Sequence, residues 1–140
     1  FSASNEKALL KEGITHILVA GKFLDKCFPE KFTYIQFDID DFEYEEIGKH
    51  FKTAYQFIED CVSKGGKILI HCAAGVSRST TFTCCYLMKK KGITLNEALL
   101  IVQQKRSIAC PNYGFQKQLK EWYDVEIKPN LYEKVIVSSD

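Results

Sequence analysis

The chain has 140 residues, 46% hydrophobic and 26% charged, the proportions of one globular domain large enough for its own core. Its formal net charge of +1 gives no general attraction to nucleic acid or to an anionic membrane, so any anion it binds is bound locally. No stretch is apolar and long enough to span a bilayer. The chain opens on Phe1 rather than methionine, as expected of a trimmed segment, so the lack of a leader sequence carries little weight.

Ser4 or Asn5 is placed to cap a short helix that ends at Gly13. Residues 14–20 and 33–39 read as strands, the first an almost continuous apolar run. Ile47, Phe51, Ala54, Tyr55, Ile58, Cys61 and Val62 recur at helical spacing, and Gly65-Gly66 stop that helix. Residues 67–71 read as a buried strand. Residues 79–90 are apolar nearly all round, as in a helix inside a core, and Gly92 ends them. Thr94-Leu95-Asn96-Glu97 is a capping box for a helix with Leu95, Ala98, Leu99 and Val102 on one face. Phe115, Leu119, Trp122 and Tyr123 mark a last amphipathic helix. Residues 127–140, with Pro129-Asn130 and Ser138-Ser139, read as a tail or a short added strand after a domain spanning 1–126. Strands alternating with helices predict an α/β fold with a mostly parallel central sheet flanked by helices.

The most distinctive stretch is His71-Cys72-Ala73-Ala74-Gly75-Val76-Ser77-Arg78-Ser79, with a cysteine and an arginine six positions apart. The apolar run Ile68-Leu69-Ile70 leads in and a helical segment follows, so the loop sits at a strand's carboxyl end, where open α/β sheets place ligands. Such a loop curls around one tetrahedral anion, a phosphate or a sulfate. The backbone N–H groups of Ala73, Ala74, Gly75, Val76 and Ser77 and the helix N-terminus supply positive potential. Gly75 permits backbone angles or close approaches that a side chain obstructs. Arg78 sets a planar guanidinium against two phosphate oxygens at once. Cys72 lies in the same field, where a thiol that ordinarily titrates at ~8.5 falls to roughly 3.5–7.5. The expected result is a thiolate facing a bound phosphoryl group, arranged for in-line attack on phosphorus.

His71 through Arg78 resembles the His-Cys-x5-Arg signature of the cysteine-dependent protein tyrosine phosphatases. Gly75-Val76-Ser77-Arg78-Ser79 resembles their dual-specificity branch in particular. Gly13-Ile14-Thr15-His16-Ile17-Leu18, Tyr86-Leu87-Met88, and Pro111-Asn112-Tyr113-Gly114-Phe115 followed by Gln118-Leu119 resemble further motifs of that branch, and the likeness covers roughly residues 1–125. It implies the protein tyrosine phosphatase fold. It also implies hydrolysis of phosphotyrosine and phosphoserine or phosphothreonine through a phosphocysteine, and an upstream aspartic acid that protonates the leaving oxygen. Asp38, Asp40 and Asp41 are the candidates. The family spacing, an apolar residue six positions on and an aromatic one at ten, falls on Ile47 and Phe51 from Asp41 but on Glu46 and His50 from Asp40. Asp41 is therefore the expected acid, and Asp38 and Asp40 belong to a solvated turn. By the same resemblance Ser79 hydrogen-bonds the sulfur, caps the first turn of the helix, or does both. His71 orders the loop, or is a core histidine satisfied by backbone. Asn112 braces the active-site loops, or caps the helix after Pro111. No metal or cofactor is called for, since arginine and backbone dipoles supply the positive charge.

Only 71 residues precede Cys72, too few for the long N-terminal portion that deepens the pocket of the tyrosine-specific branch. A shallow pocket open to all three phosphoresidues is expected, with a phosphorylated protein as partner and neither nucleic acid nor membrane. The loop lacks lysine, which disfavours inositol lipids. RNA and glucan phosphatases share the fold, but the neutral charge and the lack of a carbohydrate-binding module argue against them. Two other classes stay open. A phosphoprotein-binding module without turnover usually loses the cysteine or the arginine. A rhodanese-like sulfurtransferase does not call for Asp41, Ser79 or the Pro-Asn-Tyr-Gly-Phe stretch. The six cysteines form no Cys-x-x-Cys pair and the three histidines show no ligand spacing. Cys84 and Cys85 read as buried small hydrophobes. A reducing compartment, cytoplasm or nucleus, suits a thiolate enzyme. Cys110, beside the Pro-Asn motif, leaves open a reversible disulfide with Cys72.

Overall fold

In the computed structural model, residues 3–22, 26–73, 76–133 and 138 are described. Asn5, not Ser4, starts the first helix, α1 (Glu6–Glu12): its side chain accepts from the Ala8 N–H at 3.1 Å. Gly13, at φ +82°, ends α1 in a left-handed turn that a side chain would strain.

Three strands, β1 (His16–Ala20), β2 (Thr33–Phe37) and β3 (Ile68–His71), form a parallel sheet in the order β2-β1-β3. β1 is central and covered on both faces. Leu18 and Ala20 enter the larger core, while Ile17 and Val19 enter a smaller one with Leu9, Ile14 and Phe32. Burial on both faces is why β1 reads as an unbroken apolar run. The ladders are shorter than the apolar runs that predict them: Ile14 and Ile39 are buried but lie outside the strands. β3 is half-buried along its length rather than buried, because among the described residues it pairs with β1 alone and forms an edge.

A 3-10 turn, Ile47–His50, runs straight into α2 (Phe51–Ser63). Ile47, Phe51, Ala54, Ile58 and Cys61 make the buried stripe, from which Val62 departs at 42% exposure. The central helix, α3 (Ser77–Lys91), begins two residues before the apolar run and stops at left-handed Gly92. Phe82 on α3 sits with its ring 5.1 Å from that of Phe37 and 6.4 Å from that of Phe51. Truncating one such buried ring costs about 3–5 kcal/mol, a large share of a domain's total stability. The capping box forms as expected: the Thr94 hydroxyl accepts from Glu97 N–H at 3.3 Å and Glu97 accepts from Thr94 N–H at 3.1 Å, opening α4 (Leu95–Lys105). The helix α5 (Tyr113–Trp122) packs on α3, and the buried Trp122 donates its Nε1–H to the Cys85 carbonyl at 3.1 Å. α1 thus covers one face of the sheet and α2–α5 the other. No strand follows α5 in the described residues. The chain continues through a π-helical turn, Tyr123–Ile127, into α6 (Lys128–Tyr132), with Ile127 buried, so residues 127–132 are helical rather than a strand or a loose tail. Among the described residues no helix is long and apolar enough to cross a membrane.

Candidate active site

β3 ends at His71, Cys72 follows, and α3 begins at Ser77, so the Cys-x5-Arg loop joins the sheet edge to the central helix. Ala74 and Gly75, expected among the anion-binding amides, lie outside the described residues. Cys72 is half-buried. Its thiol donates to Ser79 Oγ at 3.2 Å, and the Ser79 hydroxyl donates to the Val76 carbonyl at 3.3 Å. Ser79 is the third residue of α3, so its short side chain reaches back over the first turn to both. The sulfur contact expected of Ser79 is therefore present, whereas its hydroxyl does not cap α3: it donates to a carbonyl, and no side chain caps that helix. Arg78 donates through Nη2 to Ala73 O at 2.9 Å and through Nη1 to Ile39 O at 3.2 Å. It ties the loop to the chain leaving β2, two residues before Asp41, and a guanidinium has further donors to spare. A cavity of about 140 Å³ lies against Cys72 and Ser79, with His71 and Arg106 also in its wall.

Asp41 stands on the turn after β2, and its Oδ1 accepts from Asn112 Nδ2 at 2.9 Å. Asn112 also caps α5, its Oδ1 accepting from Phe115 N–H at 2.9 Å, and its backbone N–H donates to Ser77 Oγ at 2.8 Å. The brace and the cap are one residue doing both. Ser77 meets the site through that hydroxyl, turned toward Asn112. The other two aspartates go elsewhere: Asp40 pairs with Lys22 at 3.0 Å, and Asp38 is exposed. Two residues without a role in the sequence reading fix the turn of Asp41 to α5. Gln118 donates to Glu45 O at 2.8 Å and accepts from Gly48 N–H at 2.7 Å. Gly114 lets the Glu43 carbonyl lie where a Cβ would stand. A glycine in the first turn of a helix, where alanine fits better, was the available signal.

His71 is half-buried, and burial holds its imidazole below the ordinary value, so it is neutral at pH 7. Among the described residues its ring makes neither the loop-ordering bond nor the backbone bond expected of it. Burial pushes the Cys84 thiol up to about 12 and raises that of Cys85 well above its ordinary value, which fits their place in the core. No disulfide joins cysteines in the described residues; Cys110 is exposed and accepts from Gln116 Nε2 at 3.6 Å. No three His, Cys, Asp or Glu side chains gather as metal ligands among the described residues.

Residues 2–125 match the model of the dual specificity phosphatase catalytic domain. A probable rhodanese domain-containing dual specificity protein phosphatase of Dictyostelium discoideum is 42% identical over 121 residues, 86% of this chain and 25% of that protein. Dual specificity protein phosphatase 1 of Arabidopsis thaliana is 39% identical over 120 residues, 86% of this chain and 61% of that protein. The chain thus spans less than two thirds of either relative. The crystal structure of human tyrosine phosphatase-like serine/threonine/tyrosine-interacting protein aligns with a TM-score of 0.83 at 35% identity, over 87% of this chain and 84% of that one. A family match of this extent, around a sulfur and a hydroxyl 3.2 Å apart at the mouth of α3, places the chain in the dual specificity phosphatase family of the protein tyrosine phosphatase superfamily.

Proposed function

We propose that this domain hydrolyses phosphotyrosine, phosphoserine and phosphothreonine in protein substrates through a phosphocysteine on Cys72. The observation that carries the reading is the shared anchoring of nucleophile and acid. Cys72 bonds Ser79 of α3, and Asp41 reaches Ser77 of the same helix through Asn112. Two reacting groups held to one helix end keep their relative position as substrate binds.

In the first step the Cys72 thiolate attacks phosphorus. The S–P bond forms, the P–O bond to the side chain breaks, and the proton of Asp41 goes to the leaving oxygen. In the second step water attacks phosphorus and gives its proton to Asp41; the S–P bond breaks, releasing inorganic phosphate and the thiolate. Arg78 and the amides of residues 73–77 hold the equatorial oxygens throughout. The Ser79 hydroxyl, 3.2 Å from the sulfur, turns from Val76 O to donate to it, which makes sulfur a better leaving group in the second step. Asn112 acts as a positioning residue for Asp41. A thiolate enzyme of this kind works in a reducing compartment, cytoplasm or nucleus.

The test compares wild type, Cys72→Ser, Arg78→Lys and Asp41→Asn on a small aryl phosphate and on phosphotyrosine, phosphothreonine and doubly phosphorylated peptides. The first two variants lose about 10²–10³-fold or more. Asp41→Asn loses about 10²–10⁴-fold on phosphothreonine and much less on the activated aryl ester, whose leaving group needs no proton. Equal loss on both removes Asp41 from the acid role. The solved relative named as an interacting protein gives the competing reading, binding without turnover. In that case Cys72→Ser and wild type release phosphate alike.

A further inference from the structure

The turn that carries Asp41 is fastened to α5 at every second residue. Asn112 holds Asp41, Gly114 receives the Glu43 backbone, and Gln118 holds the Glu45 carbonyl. The residues between, Phe42 and Tyr44, are left outside. Their rings stack on each other with centroids 5.4 Å apart and planes 5° apart, yet Phe42 is 52% exposed and Tyr44 81%. Rings that served only to pin the turn would be buried, and the turn is pinned already by α5. Two stacked aromatic faces left in solvent beside a catalytic acid mark a surface for substrate.

We infer that the Phe42–Tyr44 pair is a specificity ledge for an arginine side chain of the substrate, close in sequence to the phosphorylated residue. This rests on the phosphatase reading above, since it takes Asp41 to stand at the leaving oxygen. Neighbouring Cα atoms are ~3.8 Å apart and an extended peptide rises ~3.4 Å per residue, so the ledge meets positions within about three of the phosphorylated one. Charge selects the occupant. Asp38, Glu43 and Glu46 are exposed within four residues of the pair in sequence, and among the described residues no ion pair forms to them; Asp40 pairs with Lys22, whose charge is also felt by Asp38 and Glu45. That field favours a cation over an aliphatic side chain. A guanidinium is flat, stacks on an aromatic face and keeps its edge N–H groups for carboxylates, which an ammonium does less well.

The experiment uses phosphotyrosine peptides with alanine, arginine, lysine, leucine or glutamate at each position within three of the phosphotyrosine. Arginine at one or two positions raises kcat/KM about three- to tenfold over alanine, lysine less, and leucine not at all. The ratio of arginine to alanine falls to near one in Phe42→Ala/Tyr44→Ala and persists in Tyr44→Phe, which keeps the ring. Because the ratio is internal to each variant, a general loss of activity does not mimic the result. A wild type that treats arginine and alanine alike, a leucine gain equal to that of arginine, or a ratio that survives the double alanine variant overturns the ledge. Failure to hydrolyse even a small aryl phosphate instead defeats the phosphatase reading. The same peptides titrated by calorimetry then decide the ledge from their Kd values, with the same ratios expected.

Discussion

Asn112 Nδ2 donates to Asp41 Oδ1 at 2.9 Å across 71 positions of chain, while the same side chain caps α5 and the same backbone N–H reaches Ser77. One oxygen of Asp41 is thereby held and the other is left for a proton. Asn112→Ser keeps a capping oxygen but is too short to reach Asp41; Asn112→Ala loses both contacts. The serine variant should unfold in urea close to wild type yet turn over phosphothreonine peptide about tenfold more slowly, with a smaller loss on aryl phosphate. The alanine variant should add about 1 kcal/mol of destabilisation. Equal kinetic loss on the two substrates would place the effect of Asn112 away from proton transfer.

Gly114 gives a prediction opposite to helix propensity. Alanine in an exposed helix ordinarily stabilises over glycine by about 1 kcal/mol. Here an added Cβ runs into the Glu43 carbonyl, and backbone cannot swing aside as a flexible side chain does. Gly114→Ala should lower the midpoint of thermal unfolding and push the turn of residues 41–45 off α5. Turnover of phosphothreonine then falls more than that of aryl phosphate. A stabilised variant with normal kinetics would show that the turn moves freely.

These contacts also mark where the sequence stopped being readable. The Asn5 cap, the Thr94 capping box and the Gly92 stop were legible because each is settled within about four residues. β1 was legible because burial on both faces leaves no polar residue among its Ile-Leu-Val-Ala. The edge position of β3 was not, since it depends on which strands pair rather than on residues 68–71. The acid was a three-way choice on the residues themselves, and only the family spacing pointed to Asp41. The three differ in their surroundings: Asp40 pairs with Lys22, Asp41 accepts from Asn112, and Asp38 is exposed. The contact of Gln118 with Glu45 O and the grip of Arg78 on Ile39 O stayed invisible, because nothing local announces a contact 73 or 39 positions away.

Two histidines tie stability to pH. His50, packed against the Phe37 ring at 4.9 Å, and His71, behind Cys72, both have pKa values lowered by burial from the ordinary 6.5; Lys49 adds to the effect at His50. The unfolded chain therefore takes up protons at a higher pH than the folded one. Stability is fully present above 6.5 and is lost as pH falls through the depressed folded-state values. Urea unfolding followed downward from pH 7.5 should show a declining midpoint below about pH 6.5. His50→Asn should flatten part of that decline. A midpoint that rises as pH falls across this window would mean that both imidazoles gain a carboxylate partner.

Thiol chemistry separates the cysteines by place. Cys84, with burial pushing its thiol to about 12, is ionised to only about one part in 10⁵ at pH 7, and Cys85 is as deeply enclosed. Neither should react with iodoacetamide until the domain unfolds. Cys27 and Cys110 are exposed and should label in the folded state. Cys72 should label as well, from the cavity it shares with Ser79, and inorganic phosphate or vanadate should protect it while leaving Cys27 and Cys110 as reactive as before. Peptide mapping by mass spectrometry reads each site, and loss of activity should follow the Cys72 adduct alone. Protection spread evenly over Cys27, Cys72 and Cys110 would mean that the anion acts on the whole fold. Protection of Cys72 alone would mean that it occupies the loop between β3 and α3.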